Sequence, residues 1–78
     1  MNIKEEFYLI ALEQIYNGVP LYIIEEMLED LIEQEQYLKC AGVYKALEFA
    51  NSNTMQSIEK ELEIWVCFNI KKINNYET

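Results

Sequence analysis

From Ile3 to Ile73, apolar residues recur at intervals of three and four positions, the spacing that places them on one face of an α-helix. A strand would also suit one run, Ile64-Trp65-Val66-Cys67-Phe68. No second strand-like run exists for it to pair with, so it too reads as helix. The first stripe is Ile3, Phe7, Ile10, Leu12 or Ala11, and Ile15; Asn2 caps it, with Glu5 positioned to reach back in a capping box. Asn17-Gly18 closes it, because glycine accepts the left-handed conformation that ends a helix, and Pro20 opens the next. That second stripe is Leu21, Ile24, Leu28 and Leu31 or Ile32, widened by Ile23 and Met27. The phase then changes to Tyr37, Cys40, Ala41, Tyr44 and Leu47, extended by Phe49 and Ala50, which calls for a tight turn near residues 33–36 and a helical hairpin. Gly42 falls inside this third segment, where it costs about 1 kcal/mol relative to alanine, and so marks close approach of a neighbouring helix. Asn51-Ser52-Asn53 supplies a turn and a fresh cap, Asn53 with Gln56, before a last stripe of Met55, Ile58, Leu62, Trp65, Val66, Asn69 or Ile70, and Ile73.

The expected fold is all-α, a single domain built as a small bundle of three to four helices over about residues 2–17, 20–34, 36–50 and 54–73. The last helix is apolar nearly all round at 64–68 and must be buried on two sides, either as the central helix or as the seam of a homodimer through Trp65, Phe68 and Ile70. The whole chain has only 78 residues, so its core is thin. Yet 51% of it is apolar, with six tyrosines, three phenylalanines and a tryptophan, more than a monomer of this size readily hides. Part of that surface should meet a partner or a second copy. The alternative places the tyrosines half-buried along helix edges with their hydroxyls in water.

The residue types exclude most chemistry. There is no histidine and no arginine, which removes the commonest general base and the usual phosphate clamp. Gly18 and Gly42 are the only glycines, so no phosphate-cradling loop can form, and no Glu-x-x-His motif is present for a di-iron site. Ser52 and Ser57 fall at a cap and on a polar face. We therefore expect a protein that is not an enzyme and needs neither cofactor nor metal. Cys40 and Cys67 form no Cys-x-x-Cys pair and sit in apolar helical patterns; a single disulfide between them is one reading, and buried free thiols of a reducing compartment are the ordinary one. No apolar stretch approaches a membrane span, and Glu5 and Glu6 interrupt any leader-like region, so a cytoplasmic location is expected.

Fourteen acids against six lysines leave a net charge of −8. Such a chain is a poor direct binder of nucleic acid and is repelled by anionic membranes; its electrostatic partners are proteins with basic surfaces. The charge is concentrated in Glu25, Glu26, Glu29, Asp30, Glu33 and Glu35, six acids with no intervening base. On a helix, Glu25, Glu29 and Glu33 form one ridge and Glu26 and Asp30 the adjacent one. Such a face either keeps the chain soluble or occupies a basic groove in imitation of a row of phosphates; Lys39 and Lys45 could relieve part of the repulsion from the next helix. Tyr16 and Tyr22, around the Asn17–Pro20 turn, suggest a second contact patch, since tyrosine gives large contact area at low entropic cost; Tyr8 also falls off the main stripe. Phe7, Tyr44, Trp65 and Phe68 read as packing residues.

Residues 21–50 carry a local likeness. Glu35, Tyr37, Cys40, Ala41, Val43 and Leu47 resemble the second helix of the UVR-type helical hairpin, a docking element between proteins. The resemblance implies a hairpin. Tyr44-Lys45 stands where that family usually shows an Arg-Asp pair used in docking, so the family's partner is not implied. In size, acidity and its Asn-, Ile- and Lys-rich character, the whole chain also resembles small anti-defence proteins of phages and mobile elements, the anti-CRISPR proteins among them. That resemblance implies an inhibitor bound to the nucleic-acid channel of a host nuclease.

Overall fold

The computed structural model describes residues 2–77, and side chains through Cys67. Its elements are four helices: α1 (Ile3–Tyr16), α2 (Leu21–Glu33), α3 (Tyr37–Ser52) and α4 (Met55–Glu77). They form a small all-α bundle, and no strand occurs among the described residues.

The helix ends are set locally. The Asn2 side chain accepts a hydrogen bond from the Glu5 backbone N–H at 2.8 Å, satisfying one of the unpaired donors of the first turn of α1. At the other end Gly18 adopts φ 99°, Val19 N–H donates to Gln14 O (3.0 Å) and Gly18 N–H to Ile15 O (3.1 Å). This is a Schellman closure with glycine in the left-handed position. Pro20 is the residue before α2 rather than its first helical residue.

α2 ends by the same device with a different residue. Gln36 N–H donates to Leu31 O and Glu35 N–H to Ile32 O, both at 3.0 Å, and Glu35 takes the left-handed position at φ 58°. The tight turn expected at 33–36 is therefore present. A side chain there is disfavoured by about 1 kcal/mol, and more for some residues. Glu35→Gly should raise the unfolding free energy by about 0.5–1 kcal/mol, the relief being partly offset by the added freedom of the unfolded chain. Denaturant titration of Glu35→Gly beside Glu35→Gln separates this backbone relief from the loss of a charge, because only the glycine variant should gain.

The α3–α4 junction differs from the expected cap. α3 runs on to Ser52, and Asn53 Nδ2 donates back to Phe49 O at 2.9 Å, closing α3 instead of opening α4. The cap of α4 is Thr54, whose Oγ1 accepts from the Ser57 N–H at 3.2 Å. α4 extends past the expected limit at 73, since no glycine or proline follows Asn53.

The core consists of Ala11, Leu12, Ile15, Ile24, Leu31, Cys40, Val43, Ala46, Leu47 and Ile58. α1 and α3 make the most extensive contact, α2 lies along α3, and α4 touches α1 and, less, α3. Gly42 explains this arrangement. A Cβ at that position would lie 2.9 Å from the backbone N of Tyr8 and closer still to the carbonyl of Lys4, so α1 crosses α3 where α3 has no side chain. The close approach inferred from Gly42 is real, and the neighbour is α1.

Several expectations need correction. α4 is not the central helix: α3 is, because Gly42, Val43 and Ala46 let α1 come close on one side while Cys40 and Leu47 join the core alongside α2. Turning α3 in this way moves Tyr37 and Tyr44 off the core stripe, to 65% and 59% exposure. In α1, Ile3 and Ile10 lie at the surface while Ala11, Leu12 and Ile15 are buried; in α2, Leu31 is the buried alternative, and Ile23 and Ile32 are exposed. Met55 and Val66 of α4 are likewise exposed, and Cys67 is an exposed thiol whereas Cys40 is buried. The side chains of Phe68, Asn69, Ile70 and Ile73 lie outside the described residues.

Candidate partner-binding surface

Ile24, Leu28 and Leu31 turn one side of α2 inward. Helical geometry then sends Glu25, Glu26, Glu29, Asp30 and Glu33 to the opposite side, and all five are exposed. Tyr22, 61% exposed, stands one turn before Glu25 and Glu26 on the same side, so it belongs to the acidic face. Glu35 follows at the turn and is also exposed. No lysine occurs between Lys4 and Lys39, so no cation interrupts this face along the chain. Lys39 does not turn to it: its Nζ lies 5.1 Å from the centre of the Phe7 ring, a cation–π contact.

Tyr16 is placed elsewhere. It lines a cleft of about 420 Å³ between α1 and α4, with Glu59, Leu62, Glu63, Val66 and Cys67. Tyr16 faces α4 at this cleft, and Tyr22 lies on the acidic face. No family model, curated protein or solved structure matches this chain. What it does must be argued from its own surface.

Trp65, expected at an oligomer seam, is partly buried within the chain. Its ring meets that of Tyr8 edge-on at 6.4 Å, and its Nε1–H donates to Glu61 Oε1 at 2.9 Å. The Tyr8 hydroxyl donates to the same oxygen at 3.5 Å. This cluster fixes α4 to α1, so Tyr8, which falls off the apolar stripe, is an internal contact. Burial, the negative charge of Glu61 and the hydrogen bond to it push the Tyr8 pKa up to about 12 from 10.0. The folded state therefore holds this proton after the unfolded chain has lost it. Stability linked to Tyr8 is fully present below pH 10 and should be lost as pH rises toward 12. Urea midpoints measured between pH 9 and 12 should fall more steeply for the native chain than for Tyr8→Phe.

Sequence reasoning missed the surface where α2 meets α3. There Glu25 and Leu28 of α2 face a groove of about 330 Å³ with Tyr44, Leu47 and Glu48 of α3. A second apolar patch joins Ile3, Tyr37 and Leu38 beside Glu35. Leu38 is 65% exposed, and with Tyr37, Tyr44, Ile64 and Val66 it supports the expectation of surplus apolar surface. Among the described residues, no three acids or cysteines converge as metal ligands, and no helix is long and apolar enough to cross a membrane.

Proposed function

We propose that this chain is a non-catalytic inhibitor or modulator, encoded by a phage or mobile element, that binds a basic surface of a host nucleic-acid enzyme such as a CRISPR nuclease. It acts in the host cytoplasm as a protein-binding protein and makes no direct contact with nucleic acid. The observation that carries this reading is the outer side of α2, where Glu25, Glu26, Glu29, Asp30 and Glu33 are all exposed. Acids four residues apart rise about 6 Å along the helix, so the face offers a row of negative charge to a groove that is basic because it binds phosphates. The face also carries a cost: three pairs at four-residue spacing, Glu25–Glu29, Glu26–Asp30 and Glu29–Glu33, each lose about 0.2–0.5 kcal/mol. Folding alone does not require it.

The decisive assay adds purified chain in excess over the nucleases of its host and follows guide binding, target binding and cleavage. Stoichiometric suppression of at least one supports the reading, and no change in any of the three overturns it. A second reading, a structural or regulatory homo-oligomer through Trp65, Phe68 and Ile70, draws on the exposure of Ile64 (58%) and Val66 (55%) on α4. Sedimentation over a range of concentrations separates the two, since self-assembly would give a tight dimer without any partner.

A further inference from the structure

The groove between α2 and α3 is lined by both helices and by no lysine. Leu28 and Leu47 give it an apolar base, and Glu25 and Glu48 bring one carboxylate from each helix. Tyr44 offers an aromatic ring that is 59% exposed. Its volume, about 330 Å³, accommodates one long side chain. A purely apolar occupant would desolvate two carboxylates without pairing them, which is unfavourable. An acidic occupant would be repelled, and so would the acidic face of a second copy of this chain.

An arginine side chain meets each demand. Its methylene stem covers the leucines, its planar guanidinium stacks on the tyrosine ring, and its donors reach carboxylates on either side. Lysine matches the charge but offers no plane to stack and no fork of donors. We infer that this groove takes an arginine side chain from the partner's basic surface. The inference rests on reading the outer side of α2 as a protein contact, because Glu25 belongs to both surfaces. A ridge of carboxylates treats lysine and arginine nearly alike; the groove is what tells them apart.

Hexa-arginine and hexa-lysine peptides, titrated against the full chain at low salt, test this. The chain should bind hexa-arginine several-fold more tightly. Tyr44→Ala should weaken the arginine peptide about 2–5-fold and leave the lysine peptide nearly unchanged, and Glu48→Gln should weaken the arginine peptide more than the lysine peptide. Asp30→Asn, away from the groove, should weaken both peptides alike. Tyr44 and Glu48 are exposed, so both variants should keep their helical circular dichroism, and the arginine preference of the unsubstituted chain can be read without any variant. If both peptides bind equally, or if the preference survives Tyr44→Ala and Glu48→Gln, the groove does not hold arginine while the acidic face stands. If neither peptide binds, the acidic face fails as well.

Discussion

Gly42→Ala should destabilise the protein by about 2 kcal/mol, and Gly42→Leu should leave it unfolded. The new methyl group meets the backbone of α1 at Lys4 and Tyr8, which cannot rotate away as a side chain could. Overpacking at such a contact costs up to about 3 kcal/mol, and the better helix propensity of alanine returns about 1 kcal/mol. A domain of this length is held by roughly 4–12 kcal/mol, so the loss is a large share of the total. Thermal melts should show Gly42→Ala lowered by about 8–16 °C, as expected for a small domain losing that much. Tyr44→Ala makes the control. If Tyr44 were the core residue that its spacing suggests, its truncation would cost about 3–5 kcal/mol. From its exposed position it should cost less than about 0.5 kcal/mol. A mild Gly42→Ala together with a severe Tyr44→Ala would mean that α3 is turned the other way.

That pair of variants also marks how far the sequence could be read. The start of α1 and the first two turns were legible because each is fixed by residues within five positions of one another: Asn2 with Glu5, Gly18 with the end of α1, and the 33–36 turn with the change of stripe. Gly42 was legible as a crossing point because a mid-helix glycine has few other uses. The phase of α3 was not, since tyrosine and cysteine suit either a core or a helix edge. What decides between the two is the approach of α1, a contact across more than thirty positions of chain. The place of α4 was hidden for a related reason: a run apolar on every side, such as 64–68, gives no direction. The acidic face needed only helical periodicity and one buried stripe, and the structure places it where those put it. The groove with Tyr44 and Glu48 needed two helices side by side and left no mark in either one alone.

Replacing Glu25, Glu26, Glu29 and Glu33 by glutamine and Asp30 by asparagine should abolish partner binding while leaving the fold intact. All five side chains are exposed, so no core contact is lost, and relief of like-charge repulsion should raise stability by roughly 1 kcal/mol. Each hydrogen bond to a charged group contributes about 1.5–3 kcal/mol, so even two lost contacts amount to roughly 100-fold or more in affinity. A structural role for the face predicts the reverse pattern, with stability changed and binding kept.

The central claim is that this face meets a basic groove, and its most direct measurement is the salt dependence of that contact. Complexes of the chain with a host nuclease, formed at about 0.05 M salt, should weaken steeply as the concentration approaches 1 M, where the screening length falls to about 3 Å. The five-site variant should show weak binding with little salt dependence. Undiminished binding at molar salt, or equal binding by the five-site variant, would contradict the account.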